Sequence, residues 1–285
     1  MSNILSAGQM AEFNEKGFTY ARGLFAPDEV KLLTAAMEED PAVRDSILDR
    51  RDGEGRSTRI ALWNRAGDSV YGLAARTHRM VDTSAALLGG PVYHYQSKLT
   101  AKEPFEGGAW EWHQDYGYWY NNGCVYPLMA SVMVALDKCN RENGCLQVVK
   151  GSHLIGRIDH GVMPGNQVGA DPRRVEEILK RHEIVYAEME AGDGLFFHCN
   201  TLHRSDQNRS PNRRWTVLFC YNAARNNPYV AHHHPSYTPL VKVADSAIKE
   251  AGLKLAGGAR ENFMNRAYTP PEIKTKVAEG EIRPR

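Results

Sequence analysis

Disulfide chemistry has too little material to work with in this sequence. Five cysteines, Cys124, Cys139, Cys145, Cys199 and Cys220, make an odd count in 285 residues, and no two of them form a C-x-x-C pair. Neither a disulfide framework nor a zinc knuckle is indicated, and a reducing, intracellular compartment is expected. Neither sign of charge is in excess: 35 basic residues stand against 34 acidic ones. That balance argues against a dedicated nucleic-acid or anionic-membrane surface. The opening MSNILSAGQM lacks the basic flank and apolar block of a signal peptide. The longest apolar run, PLMASVMVAL, is half of the roughly 20 residues a membrane helix needs. A soluble, cytoplasmic protein is expected, monomeric or homodimeric, with a small-molecule ligand and no nucleic-acid or membrane partner.

Length points to one large domain with peripheral additions, since the chain is long for one domain and short for two. A chain of this size can bury roughly 75% of the surface its unfolded form exposes, so a large core needs no staples. Ser6 is a cap for a short helix ending at Gly17; FTYARGLF then reads as extended, and a second helix starts near Pro27 and stops before Pro41. Its apolar face carries Val30, Leu33, Ala36 and Met37. From Arg44 to Asp68 the arginine- and glycine-rich composition suggests a long loop or lid, with Arg51, Arg56 or Arg59 free to fold over an anionic substrate. A helix through VYGLAARTHRMVDTSAALLGG closes this part.

After it the pattern turns to strands: PVYHYQSKL, LMASVMVAL, CLQVVK, EIVYAEME, GLFFHC and RWTVLFCYN. One helix, DPRRVEEILKRHE, interrupts them with Asp171 as its cap. Several strands without βαβ spacing favour a sandwich or jelly-roll barrel over a parallel sheet. The chain therefore divides into a helical scaffold over about 1–90, a jelly-roll core over about 91–225 and a C-terminal extension over about 226–285, loosely attached from Leu255 onward through YTPPEIKTK.

The densest aromatic run, WEWHQDYGYWY at 110–120, contains a histidine and a carboxylate two residues apart. In an extended segment such side chains point the same way, so His113 and Asp115 converge while Gln114 faces away. A later strand can bring a third ligand beside them, and FFHCNTLHRSDQNRSPNRRW offers His198 and His203. Two histidines and one carboxylate on one face, with open positions opposite, is the arrangement oxygen-activating non-haem iron enzymes use. Eleven residues beyond His203, Arg214 heads the strand RWTVLFCYN, where its guanidinium can take a carboxylate in a bidentate grip. Gln96, Lys98 and Thr100 alternate on the strand before the H-x-D segment and can all face the interior. Lys98 equally fits a snorkelling surface residue.

The segments QSKLTAKEPFEGGAWEWHQD, NGCLQVVKGSH and GDGLFFHCNTLHRSDQNRS, together with Arg214, resemble the phytanoyl-CoA dioxygenase family of iron(II)- and 2-oxoglutarate-dependent oxygenases. Within it they look most like the ectoine hydroxylase and proline hydroxylase branch. The resemblance runs from about Pro91 to Asn222. It implies an all-β core with peripheral helices, folded as a double-stranded β-helix, or jelly-roll, cupin-like barrel. It makes His113, Asp115 and His203 the iron ligands and leaves His198 a packed strand histidine. It assigns Arg214 to the distal carboxylate of 2-oxoglutarate, with Ser205, Lys98 and Thr100 also at the cosubstrate. Thr100 stands where the ectoine hydroxylase pattern has asparagine and keeps only a hydroxyl. Gln96, Trp112 and Leu218 fall to the substrate pocket.

The implied activity is hydroxylation of an unactivated C–H bond with O2 as oxidant, succinate and carbon dioxide as products, and ascorbate as reductant in vitro. Related halogenases carry Ala or Gly at the carboxylate position, so Asp115 favours hydroxylation. Strand alternation sends half of Tyr116, Tyr118, Trp119 and Tyr120 inward. Aromatic faces there suit a cationic or zwitterionic substrate, each contact contributing about 0.5 to 2 kcal/mol. HHHP at 232–235 is read as pocket rim or surface, because adjacent side chains diverge. Three alternatives stand beside this reading: a jelly-roll enzyme using another divalent ion, a binding barrel without turnover, and a dioxygenase acting on an acyl thioester or natural-product intermediate.

Overall fold

The Ser6 region folds as its sequence dictates. Gln9 N donates to Ser6 Oγ (3.2 Å) and Ser6 N donates to Gln9 Oε1 (2.9 Å), a reciprocal capping box. Helix α1 (Ala7–Lys16) ends at Gly17, whose φ of 86° is open to glycine at little cost. The architecture is that of a computed structural model, which describes residues 4–256 and 263. Next come β1 (Phe18–Ala21), α2 (Pro27–Glu39) and the short α3 (Pro41–Asp45). Val30, Leu33, Ala36 and Met37 are buried on α2, as their spacing requires.

The segment expected as a lid is a β-hairpin. β2 (Leu48–Arg51) pairs antiparallel with β3 (Ser57–Trp63) around a turn in which Asp52 Oδ1 accepts from Glu54 N and Arg56 N, both at 2.9 Å, and Gly55 takes φ 83°. The Asp-Gly turn and the buried Thr58, Ile60 and Trp63 of β3 outweigh the arginine-rich composition. The arginines are occupied elsewhere: Arg59 pairs with Glu103, and Arg56 donates to the Phe105 carbonyl (2.8 Å). The single helix expected after it is two, α4 (Val70–Arg76) and α5 (His78–Leu88). Thr77 between them is extended (ψ 150°), and Val243 takes the freed backbone groups of Arg76 and His78.

The remaining elements are β4 (Val92–Lys102), β5 (Trp110–His113), α6 (Asp115–Trp119), β6 (Met129–Ala135), β7 (Leu146–Val149), β8 (His160–Met163), β9 (Gln167–Ala170), α7 (Pro172–Leu179), β10 (Ile184–Ala187), β11 (Gly194–His198), β12 (His203–Ser205), β13 (Arg214–Ala223) and α8 (Ala247–Ala251). Each strand expected from the sequence is present. Asp171 caps α7 by accepting from Arg173 N (2.9 Å) and Arg174 N (3.3 Å).

Seven strands form one sheet in the order β1-β11-β6-β13-β4-β3-β2, and four form a second in the order β10-β7-β12-β5. The β8–β9 hairpin stands apart. The crossed order and antiparallel pairing make a double-stranded β-helix, the jelly-roll expected. Residues before 91 are not only helical, because β1, β2 and β3 extend the large sheet at both edges.

Helices cover one face of the large sheet: Leu33, Tyr71, Met80 and Val81 pack with Val132, Val217 and Phe219 in the main core. Burying each such side chain stabilises the fold by about 1.5–3 kcal/mol. Between the sheets lie Phe18, Met133, Leu146, Val148, Phe197 and Leu218. The extension is tied down as far as α8, where Lys249 pairs with Asp28 (2.9 Å) and Val70 N donates to the Lys254 carbonyl (2.8 Å). YTPPEIKTK lies outside the described residues.

Candidate metal centre

His113 and His203 are directly opposed Cα partners of β5 and β12, so their rings share the inner face of the small sheet, 4.1 Å apart between centroids. Each ring is fixed by its own chain. His113 Nδ1 is 2.8 Å from the Glu111 carbonyl, and His203 Nδ1 is 2.8 Å from the Thr201 carbonyl. A carbonyl only accepts, so Nδ1 carries the proton in both rings and Nε2 presents a lone pair. Asp115 Oδ1 lies 4.0 Å from His113 Nε2 and 3.9 Å from His203 Nε2. Ser131 on β6 donates to the other oxygen, Oδ2, at 2.6 Å. Burial holds both imidazoles below their ordinary pKa, with His203 adding to the effect on His113. In these tautomers three acceptors face one another.

The chain reaches this geometry differently from the expected extended run. β5 ends at His113, and Asp115 opens helix α6. Gln114 between them faces away, as expected, and is stapled: its Nε2 donates to the carbonyls of Gly156 (2.8 Å) and Asn200 (2.7 Å), and its Oε1 accepts from Ile158 N (2.7 Å). The aromatics therefore follow helical spacing rather than strand alternation. Tyr118 stacks edge-on against His113 (5.8 Å), Trp119 packs on Tyr95 (5.4 Å), Tyr116 donates to the carbonyls of Cys124 and Val125, and Tyr120 is exposed. Gly117 is forced, since a Cβ there would stand 2.2 Å from the His160 ring.

A cleft of about 400 Å³, part of it open to solvent, joins His113 and His203 to Thr58, Lys98, Thr100, Lys102, Trp110, Leu146, Arg204, Ser205, Arg214 and Leu218. Arg214 is buried at the head of β13, with Nη1 3.4 Å from Thr216 Oγ1 and with Nε and Nη2 lacking a hydrogen-bond partner among the described residues. Lys98 Nζ stands over the Trp110 ring at 5.3 Å.

Two expected pocket residues lie elsewhere. Trp112 is directed into the cluster of Val149, Ile158 and Leu202, beneath the Arg204 guanidinium (5.0 Å), because its neighbour His113 takes the inner face. Trp110 lines the cleft in its place: β5 spends three residues where β12 spends two, a bulge that returns Trp110 to the His113 side. Gln96 is half-buried beside Cys220 and is not among the cleft's walls. Lys102 and Ser131 were not singled out from the sequence. The alternation through Lys98 and Thr100 extends to Lys102, whereas nothing local marked Ser131.

His198 packs with Phe13 and His153, and burial lowers its pKa to about 4. His232, His233 and His234 do not diverge as expected: their ring centroids lie 3.8 to 5.5 Å apart, and the His234 ring stacks on Tyr95 at 4.6 Å. All five cysteines are buried free thiols. No helix among the described residues is long and apolar enough to cross a membrane.

A jelly-roll holding two imidazoles and one carboxylate at the mouth of a cation-lined cleft defines the class of non-haem metal oxygenases. The chain belongs to the phytanoyl-CoA dioxygenase (PhyH) family, whose sequence profile matches residues 13–216. It is a 2-oxoglutarate-dependent dioxygenase. The L-proline trans-4-hydroxylase of Streptomyces griseoviridis is 32% identical over 194 residues, covering 63% of this chain and 71% of that enzyme. The ectoine dioxygenase of Sphingopyxis alaskensis is 30% identical over 236 residues, covering 78% and 77%. The crystal structure of S. alaskensis EctD with 2-oxoglutarate and 5-hydroxyectoine matches with a TM-score of 0.66 at 26% identity, covering 87% of this chain and 88% of that one. The form with bound Fe gives 0.67 at 25% identity, covering 90% and 87%.

Proposed function

We propose that this enzyme hydroxylates an unactivated C–H bond of a small amino-acid-like or zwitterionic metabolite, with His113, Asp115 and His203 as ligands of a ferrous ion. The observation that carries the reading is the meeting of two Nε2 lone pairs and Asp115 Oδ1, with no donor between them among the described residues. Such a cluster of acceptors is unfavourable until a cation enters, and an N,N,O donor set suits iron(II). The orphaned Arg214 N–H groups in the same cleft fit the distal carboxylate of 2-oxoglutarate.

The chemistry supplied by iron there is oxidative decarboxylation of 2-oxoglutarate by O2 to succinate and carbon dioxide, coupled to hydroxylation. The chain's residues orient and shield. The Glu111 and Thr201 carbonyls lock the imidazole tautomers, and Ser131 fixes the carboxylate rotamer. Arg214 and Ser205 hold the diacid, while Thr100 and Lys98 flank it from β4. Trp110, Leu146 and Leu218 exclude water from the reacting atoms. Relatives named for proline and ectoine point to a compact substrate.

The test is a screen of small amino acids and cyclic zwitterions with iron(II), ascorbate and 2-oxoglutarate under air. The reading expects succinate formation stimulated by at least one of them. Stimulation only by acyl thioesters would overturn the substrate class, and no succinate in any mixture would overturn the activity.

A further inference from the structure

His232, His233 and His234 make a second group of metal-ligating side chains among the described residues, apart from the centre built above. Consecutive side chains normally diverge, yet one ligand nitrogen from each ring lies within 4.8 Å of the other two, the same limit that His113, Asp115 and His203 meet. Contacts from outside hold the chain in this turn. Asn64, just past β3, donates to the His233 carbonyl. The His234 ring stacks on Tyr95 of β4 at 4.6 Å, and Tyr237 packs edge-on against Tyr93 at 5.6 Å.

The gathering is unfavourable as it stands. His234 is only 8% exposed, and its Nδ1 has no hydrogen-bond partner among the described residues. A buried polar atom left unmatched costs about 1–3 kcal/mol. His232 Nδ1 accepts from His234 N at 3.5 Å, the outer limit of such a bond. Burial, and then the neighbouring rings in the case of His233 and His234, hold all three imidazoles below their ordinary pKa, His233 at about 4. A proton is therefore a poor occupant for these nitrogens, and a cation that bonds nitrogen directly is a better one.

The chemistry of the donors narrows the choice. Among the described residues the group contains neither carboxylate nor thiol, so it does not suit magnesium or calcium, which take oxygen ligands. Three imidazoles suit borderline divalent ions, and nitrogen sites hold iron(II) less tightly than zinc(II) or copper(II). We propose that His232, His233 and His234 are a second metal site, for zinc(II) or a similarly borderline divalent ion. The fourth position of a tetrahedral ion is left to water. The bound ion fixes the turn that lays His234 on Tyr95. Tyr95 packs in turn on Trp119 at 5.4 Å, the last residue of the helix that Asp115 opens. The ion thus braces the segment after β13 against the cluster of Tyr95, Tyr116 and Trp119.

The experiment is a zinc(II) titration of chelator-stripped enzyme, with a chromophoric competitor to count equivalents and a melting curve at each stage. Wild type is expected to bind two equivalents, because the His113, Asp115 and His203 set also accepts zinc. His203→Ala and the double variant His232→Asn with His233→Asn are each expected to bind one. The double variant keeps the buried His234, and its metal-free midpoint should match that of wild type, so that a lost equivalent is not a lost fold. Zinc should raise the midpoint of His203→Ala, since an ion held only by the folded turn stabilises the fold. Two equivalents in the double variant would overturn the proposal, as would one in wild type with none in His203→Ala. Binding by His203→Ala with no rise in midpoint would mean adventitious chelation that the unfolded chain performs equally well, and would overturn it too. One equivalent in wild type and in His203→Ala, absent from the double variant, would sink the ligand assignment of the iron centre and leave this site standing.

Discussion

Ser131 Oγ donates to Asp115 Oδ2 at 2.6 Å, which leaves Oδ1 as the oxygen facing both imidazoles. The hydroxyl reaches Asp115 from a different strand and so fixes a rotamer that the H-x-D segment cannot fix alone. Ser131→Ala is expected to lower iron(II) affinity by roughly 10- to 100-fold, the usual cost of losing a partner behind a metal ligand. Competition with a chelator measures it, and unchanged affinity would remove Ser131 from the account.

Asp115→Ala deletes the carboxylate of the proposed ligand set. Hydroxylation is expected to be abolished while the fold persists, since Tyr116 and Trp119 keep the short α6 tied to Cys124, Val125 and Tyr95. Succinate and hydroxylated product are the readouts. Full activity would refute the ligand assignment.

Arg214→Met is expected to raise the KM for 2-oxoglutarate by about 100-fold or more, as for truncation of a buried charge partner. Thermal stability without the diacid should hold or rise, because among the described residues the guanidinium Nε and Nη2 have no hydrogen-bond partner. Steady-state kinetics and a melting curve together check both signs.

Much of this centre was legible in the sequence because its parts are local. The H-x-D spacing, Arg214 at a strand head and Asp171 as a cap depend on a few neighbouring residues. The strand Val92–Lys102 carried its own alternation, and that same alternation reached Lys102 opposite Arg214. What escaped depended on tertiary context. The turn of α6 out of β5 is enforced by the Gln114 staple to Gly156, Ile158 and Asn200. The exchange of Trp112 for Trp110 follows from one bulge, and the hairpin at 48–63 was masked by its arginines.

Asp52 ties that hairpin to the site: its carboxylate accepts from Ala109 N (2.8 Å), just before β5, and from Gln207 Nε2 (3.0 Å), just after β12. Burial pushes this carboxyl up, but hydrogen bonds from Ala109, Gln207, Arg56 and Glu54 outweigh it and hold the pKa below the 3.8 ordinary for an aspartate. The folded-state value is depressed, so the stabilisation is fully present above the unfolded value and is lost as pH falls through the folded one. Asp52→Asn should therefore lower the melting midpoint at neutral pH, with the deficit vanishing in acid below pH 3.8. A deficit independent of pH would assign Asp52 a purely geometric role.

The most direct measurement is the iron(II) retained per chain after anaerobic dialysis, with and without 2-oxoglutarate, in wild type and in His203→Ala. The account predicts one 2-oxoglutarate-strengthened iron per wild-type chain and its loss in His203→Ala. Equal, 2-oxoglutarate-dependent retention by the variant would contradict the meeting of His113, Asp115 and His203 around one ion.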